Sequence, residues 1–242
     1  MIHSTDRYTV LGAAQRSPEW RQARSGVLTA SRAGDMLGRL KGGLPNQAHR
    51  DYLTQLVCER LTDTPQDEVY QTIHMQRGVD CEPLARADLE AVTGWCIDTP
   101  GMLLLRDLKA GASPDGMVGA DMIVELKAPK STTHLRYLRD AGGIRGRVPT
   151  EHVAQCRHLL WVSGCDSLEF CSWDDRFPAG LRLYRATLLA VDAGLPEYDA
   201  DARQFLDDVE TEVETLAEWC GLTDNNNNLQ TVSPVEVNGY GI

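Results

Sequence analysis

An α/β (α+β) fold with a central mixed β-sheet flanked by helices is predicted from two features of the sequence. The 242 residues are 42% hydrophobic and 24% charged, which is typical of a soluble globular domain. Apolar residues recur at helical spacing at both ends of the chain, and short strand-like runs lie between them. We expect one domain over residues 1–222 and a flexible tail over 223–242, where four consecutive Asn residues precede a segment with few apolar side chains.

The first two helices are predicted from their capping signals. Ser17-Pro18-Glu19-Trp20 combines a cap residue, Pro at the first helical position and an acid in the first turn. Gly26 is expected to end this helix. Thr29 or Ser31 then caps a second helix that we expect to reach about Leu40.

Two further helices are predicted from apolar periodicity over residues 49–61 and 78–93. In the second of these, Ala85, Leu89 and Val92 form the expected inward stripe. The later elements are a helix over 150–162 and a long C-terminal helix with Leu206, Val209, Val213, Leu216 and Cys220 on one face.

Strands are predicted in the middle of the chain. Met102–Leu105 and Met122–Leu126 are short apolar runs, the second stopped by Pro129, and turn residues lie between them at 112–116. Two more strands are expected at 167–173 and near 181–189.

Composition excludes several classes of protein. The sequence has no run of eighteen apolar residues and no basic-then-apolar leader, so we expect an intracellular protein. Seven cysteines without a Cys-x-x-Cys pair indicate reduced thiols, and they disfavour a zinc or iron–sulfur site at Cys156, Cys165 and Cys171. No Gly-x-x-x-x-Gly-Lys-Ser/Thr loop is present, which excludes a P-loop ATP site.

The net charge of −11 argues against a non-specific nucleic-acid coat, but the charge is uneven. Residues 127–147 hold six bases against the single acid Asp140, whereas residues 197–218 hold nine acids against the single base Arg203. The first segment is able to meet a polyanion and the second is not, although a solvated surface explains either run equally simply.

The strongest local signal is Asp115, followed ten residues later by Glu125 and then Lys127. Strand alternation places Glu125 and Lys127 on one face, with Val124 and Leu126 toward the core. Two carboxylates and an ammonium at a sheet edge suit Mg²⁺, which activates water and neutralises phosphate charge. By itself the pattern is weak, because Glu-x-Lys arises by chance and Asp-Gly is an ordinary turn.

Two other polar residues fall on inward helix faces. Glu82 lies on the side of Ala85 and Leu89, where a carboxylate needs a partner or a metal, and Gln155 shares a line with Leu159 and Val162. The structural alternatives are a helix-capping acid and a buried, satisfied amide.

A candidate anion pocket consists of Arg24, Ser31 and Ser113. Ser31 falls at a predicted helix start, where backbone N–H groups favour an anion. Plain capping beside a surface arginine is the alternative. His152, Cys156 and His158 share one helix, but their angular spread favours ordinary packing over a shared site.

The sequence as a whole resembles the phage λ exonuclease family (YqaJ-like viral recombinases), a branch of the PD-(D/E)XK nucleases. The resemblance covers roughly residues 17–190 in unbroken order. The matching segments are Pro18-Glu19-Trp20, Gly26–Ser31, Gly78–Glu82, Ala112–Gly116, Glu125–Pro129, Thr133–Leu135, Val148–Glu151 with Gln155, Trp161–Gly164 and Asp174–Pro178.

The resemblance implies a restriction-endonuclease-like PD-(D/E)XK core and a set of site residues. It implies Mg²⁺ ligation by Asp115, Glu125 and the backbone carbonyl of Leu126, with Glu82 as another metal-site acid and Mn²⁺ as an alternative cation. The remaining implied roles are the catalytic lysine for Lys127, the active-site glutamine for Gln155, and the DNA 5′-phosphate pocket for Arg24, Ser31 and Ser113.

The implied activity is 5′→3′ resection of double-stranded DNA ends, leaving a 3′ single strand for an annealing protein or recombinase. A homo-oligomer, a trimer by resemblance, and a phage or prophage origin in the bacterial cytoplasm are also implied. Thr133 stands where the λ enzyme has Arg, so the expected phosphate pocket either borrows Arg136 or is weaker; His152 and Arg157 also depart from the family's Tyr and Gln.

The sequence thus predicts a Mg²⁺-dependent exonuclease that grips DNA through phosphates. An endonuclease or single-strand nuclease of the same fold, and a DNA-end-binding module that does not cut, are the alternatives.

Overall fold

The computed structural model describes residues 4–66, 73–219 and 221. The predicted tail at 223–242 and Cys220 lie outside this range. The described strands are β1 Tyr8–Leu11, β2 Leu28–Thr29, β3 Met102–Leu105, β4 Ala110–Ala112, β5 Gly116–Val118, β6 Met122–Lys127, β7 Ser167–Trp173 and β8 Leu183–Leu189. They form two four-stranded sheets, with orders β1-β3-β4-β2 and β5-β6-β7-β8.

Helices pack around both sheets, so the predicted mixed α/β class is confirmed. The helices are α1 Pro18–Arg24, α2 Ala33–Met36, α3 Gln47–Thr62, α4 Ile73–Thr93, α5 Ser131–Ala141, α6 Thr150–Ser163 and α7 Leu195–Trp219. The sequence predicts one central sheet, but the described strands form two. The division falls at Ser113-Pro114-Asp115, which links β4 to β5, and Pro114 has no N–H to continue the ladder.

The second sheet positions the predicted motif. Strand β6 pairs antiparallel with β5 and parallel with β7. A parallel pair needs a long crossover, and α5 and α6 supply it. Both faces of β6 are covered: Ile123 belongs to the main core, while Val124 and Leu126 pack in a second cluster with Leu89 and Trp173. The expectation that Val124 and Leu126 face a core is confirmed. Ile123, and Glu125 with it by strand alternation, lies on the opposite face toward the main core.

Several predicted boundaries differ from the structure. The second helix does not reach Leu40: a 3₁₀ turn over Ala30–Arg32 leads into α2, which ends at Met36. Helix α4 starts at Ile73, before Gly78, and Val92, predicted on the inward stripe with Ala85 and Leu89, is exposed. Strand β8 starts two residues after Leu181.

Other predictions are confirmed. The Ser17 side chain accepts a hydrogen bond from the Trp20 N–H and caps α1. Val209 and Val213 on α7 are buried as expected. Strands β1, β2, β4 and β5 and helix α5 were not predicted. No helix in the described ranges has the length and apolar character needed to cross a membrane, and the six described cysteines are free thiols.

Candidate active site

The sheet pairing converts the ten-residue spacing between Asp115 and Glu125 into direct contact. Asp115 immediately precedes β5, and the antiparallel register places Gly116 opposite Val124. The Leu126 N–H donates to Oδ2 of Asp115 at 2.7 Å. Position 116 requires glycine, because a Cβ there would lie 2.3 Å from Cγ2 of Ile97.

Glu125 is the buried centre of the cluster, with a side chain only 2% exposed. Nε2 of Gln155, on α6, donates to Oε1 of Glu125 at 2.5 Å. The Lys127 ammonium forms an ion pair with the same oxygen. The structure therefore brings together Asp115, Glu125, Lys127 and Gln155. The inward position of Gln155 left open a packing role and a role in the site, and the hydrogen bond serves both: it satisfies the amide and holds Glu125.

Burial sets the protonation of these groups. It raises the pKa of Glu125 to about 7; Lys127 opposes the shift, and Asp115 and Glu82 add to it. Burial also raises the pKa of Asp115, again against the Lys127 charge. Burial alone would lower the pKa of Lys127, but Glu125 and Asp115 outweigh it and raise that pKa. Lys127 is therefore a permanent cation at neutral pH and not a proton acceptor.

The donor set at this edge fits a hard divalent cation. One oxygen of each carboxylate is used by the protein, Oδ2 of Asp115 and Oε1 of Glu125. Within residues 4–66, 73–219 and 221, no hydrogen bond reaches the other oxygen of either group. In the same ranges no three His, Cys, Asp or Glu side chains converge into a complete metal site. Mg²⁺ fits such a sparse set, because it typically uses one or two carboxylates and keeps several waters.

Glu82 lies in the interior of α4, so the alternative of a helix-capping acid at the start of that helix is wrong. Its Oε1 accepts from Arg86 at 2.7 Å, and the same guanidinium donates to the backbone carbonyl of Asp115 at 3.1 Å. Burial and the Asp115 charge raise the pKa of Glu82, and Arg86 and Arg16 oppose the rise. A metal-binding role for Glu82 stays a prediction, one that requires Arg86 to release it.

Asp115, Leu126 and Lys127 border a cavity of about 370 Å³. His152 lines it too, 3.1 Å from the Tyr137 hydroxyl. Burial, with help from the Lys127 charge, lowers the pKa of His152 to about 4, so its ring is neutral at neutral pH. Arg16 and Ala85 complete part of the wall.

The candidate anion pocket forms around an aromatic side chain that the sequence analysis did not assign to it. The Trp20 indole N–H donates to Oγ of Ser113 at 2.9 Å, and the Arg24 guanidinium lies 4.3 Å from the centre of the Trp20 ring. Arg24 also donates to Oγ of Ser31 at 3.3 Å. Arg24, Ser31 and Ser113 are thus brought together through Trp20. Ser31 begins no long helix, so its own hydroxyl, and not a helix dipole, is what it offers an anion.

Arg136 does not join this cluster. Its guanidinium pairs with Glu151 and lies over the Tyr137 ring. These residues line a different cavity of about 430 Å³. The expectation that Arg136 replaces the arginine absent at Thr133 therefore has no support from the contacts, because α5 directs Arg136 toward the start of α6.

His158 and Cys156 are packing residues, as expected. His158 is fully buried, with its two ring nitrogens 2.8 Å from the Tyr198 hydroxyl and 3.0 Å from the Gly111 carbonyl. Cys156 is also fully buried, and burial raises the pKa of its thiol.

Comparison with known proteins places the chain in a family. The family model of the YqaJ-like viral recombinase domain matches residues 19–166. The chain belongs to this family. No curated protein matches it.

Solved structures agree with the YqaJ assignment. The alkaline exonuclease LHK-Exo from Laribacter hongkongensis is 30% identical, with a TM-score of 0.74 covering 85% of this chain and 98% of that one. A complex of LHK-Exo with dAMP matches equally well. A phage-related exonuclease from Haemophilus somnus 129PT matches with a TM-score of 0.58 at 12% identity, covering 80% of this chain and 96% of that one, which shows a shared fold. The predicted PD-(D/E)XK type of core is confirmed by these matches.

Proposed function

We propose that this YqaJ-family protein is a Mg²⁺-dependent 5′→3′ exonuclease that degrades one strand of linear double-stranded DNA and leaves a 3′ single-stranded overhang for phage-type recombination. The observation that carries the proposal is the contact set of Asp115, Glu125, Lys127 and Gln155 beside an open cavity. Its likeness to LHK-Exo, an exonuclease solved with dAMP bound, supports the same class of reaction.

The residues divide the work of phosphodiester hydrolysis. Asp115, Glu125 and the Leu126 carbonyl are the groups that would hold the cation. When bound, that cation supplies acidification of water and neutralisation of phosphate charge. Lys127, fixed by Glu125, stabilises the negative charge that develops at the scissile phosphate. Gln155 keeps the Glu125 carboxylate in place through its hydrogen bond.

The proximity of the anion pocket to these groups accounts for the proposed polarity. Ser113 belongs to the Arg24–Trp20 cluster, and Asp115 follows it by only two residues. An end phosphate held by Arg24, Ser31 and Ser113 would therefore lie a short, constant distance from the cleavage groups. Such anchoring favours removal of nucleotides from a 5′-phosphorylated end.

Two assembly proposals accompany the activity. By family membership we expect a homo-oligomer, with a trimer as the leading form, and delivery of the 3′ strand to a single-strand annealing protein. Light scattering of the purified protein tests the first proposal, and co-purification with a single-strand annealing protein tests the second.

The deciding experiment follows nucleotide release from linear duplex DNA carrying a 5′-phosphate, with Mg²⁺, with Mn²⁺ or with EDTA. The expected result is metal-dependent loss of the 5′-ended strand, leaving covalently closed circular DNA intact. Cutting of the circle would favour an endonuclease. Binding of ends without cutting, by folded protein, would favour the end-binding module.

A further inference from the structure

The cavity at the catalytic edge adjoins a second cavity of about 420 Å³ that none of the roles above uses. Arg16, Val79 and Glu82 line both cavities, so the two form one continuous groove. The second cavity also has the polar residues Gln15 and Thr99 in its wall. Arg16 stands where the groove passes from one cavity to the other.

The backbone of Arg16 is held in an unfavourable conformation. Its φ is 70°, and Asp63 is the only other non-glycine residue with a positive φ in the part of the chain that the structure describes. A left-handed conformation is unfavourable for an arginine, and such strain concentrates at functional sites. The turn is held in place by the next residue, because the Ser17 side chain caps α1.

Arg16 also presents an available charge. Its side chain is exposed, and it makes no ion pair with any residue within the described ranges. The other cations of the described groove are already bound, Arg86 to Glu82 and the Asp115 carbonyl, and Lys127 to Glu125. A guanidinium offers several N–H donors in a plane, which matches the oxygens of a phosphate group.

We propose that Arg16 binds the backbone phosphate next to the scissile phosphate, and that the second cavity receives the adjoining part of the cut strand. The inference rests on the proposed nuclease function and adds a positioning residue outside the Arg24 pocket. It assigns the ligand by chemistry: a phosphodiester of the DNA strand. The sequence alone does not indicate this role, because Arg16 lies in no recognised motif.

Substitution of Arg16 tests the proposal in a Lys127→Ala background, where DNA binding is measured without cleavage. Arg16→Gly removes the charge and suits the positive φ, so the fold should be retained. We expect about tenfold weaker binding at ~0.1 M salt, and a slope of log affinity against log salt that is smaller by about 0.7–0.9. Arg16→Lys keeps the charge and should keep the slope.

Two control variants separate charge from backbone effects. Arg203→Gln removes an exposed arginine on the acidic helix α7 and should leave binding unchanged. Asp63→Gly places glycine at the other strained position. Unchanged affinity and slope in Arg16→Gly, or equal loss of slope in Arg16→Lys and Arg16→Gly, would overturn the phosphate contact.

The design separates the two proposals. If protein with Lys127 intact cuts no DNA, the proposed nuclease function fails, and the binding comparison still decides whether Arg16 contacts the strand. If the protein with Lys127 intact cuts DNA, but Arg16→Gly changes neither DNA binding in the Lys127→Ala background nor KM in the active enzyme, only the inference about Arg16 fails.

Discussion

Strands β6 and β7 run parallel in the second sheet, and each carries a buried carboxylate at or next to its C-terminal end. Glu125 on β6 shares Lys127 with Asp115, so the acids outnumber the nearby cation. Asp174, directly after β7, is fully buried but accepts hydrogen bonds from Arg77, Arg176 and Ser131. In one sheet, Glu125 thus competes with Asp115 for a single lysine, whereas Asp174 is bound by two arginines.

The pKa values follow this difference in partners. Burial raises the pKa of Glu125 to about 7. Burial also acts to raise the pKa of Asp174, but the hydrogen bonds from Arg176 and Ser131 outweigh it and hold that pKa at about 2. Burial is therefore not what marks a reactive acid. The supply of compensating cations separates a site that is open to a metal ion from a structural ion-pair network.

The largest expected effect is at Lys127. Lys127→Ala should lower the cleavage rate by about 10³-fold, because it removes the cation facing the developing phosphate charge. DNA binding and the far-UV circular dichroism spectrum should stay close to wild type. Lys130→Ala, three residues on and exposed, is the matched control. Equal loss of binding and cleavage would refute the assigned role.

Asp174 should govern stability instead. Asp174→Asn should lower the free energy of unfolding by about 2 kcal/mol at pH 7, since two arginines lose a buried partner. Asp175→Asn is the control: that side chain is 53% exposed, and its ion pair with Arg77 should contribute well under about 1 kcal/mol. Urea unfolding of both variants decides the question. Similarly small losses of unfolding free energy in the two variants would mean that Asp174 contributes no more than an exposed surface acid.

Gln155 should have a smaller effect on the rate. Gln155→Ala should lower kcat by about 10–100-fold with little change in KM, because the Glu125 carboxylate loses the donor that orients it. Loss of that donor should also raise the pKa of Glu125 and so shift the acid limb of the pH–rate profile to higher pH. Gln204→Ala on α7 serves as the control, and an unshifted profile would indicate that Gln155 only fills space.

pH should separate the two acids directly. Glu125 binds a cation only when ionised, so cleavage should rise with pH through about 7 and fall up to tenfold per unit below it. Asp174 has a depressed pKa, so its stabilisation is present above pH ~4 and is lost as pH falls toward 2. At pH 5 the protein should therefore be folded and nearly inactive. Parallel loss of activity and structure would contradict the comparison.

The smallest effect concerns the end phosphate. Arg24→Ala should slow digestion of 5′-phosphorylated ends about tenfold more than that of 5′-hydroxyl ends, because it removes a charge-assisted contact with the phosphate. Arg21→Ala on the same helix is the control. Equal slowing on both substrates would remove Arg24 from the phosphate pocket.

The sequence by itself determined the class of the fold, the order of most elements and the motif of Asp115, Glu125 and Lys127. These depend on local signals: the Ser17 cap, the apolar periods of α3, α6 and α7, and strand alternation. The family resemblance added roles for residues already singled out: the active-site glutamine for Gln155 and a DNA 5′-phosphate for the pocket of Arg24, Ser31 and Ser113. Elements with weak local signals, such as the two-residue strand β2, were missed, because long-range pairing and not propensity stabilises them.

Only the tertiary structure decided how the charges are balanced. No local pattern shows that Arg136 faces Glu151, or that Arg77 on α4 binds Asp174 beside the nearby Arg176. The same holds for Trp20 beside Ser113 and for Arg16 between two cavities. The physical reason is common to all of them: pKa and binding depend on distances between residues far apart in the chain, and folding alone sets those distances.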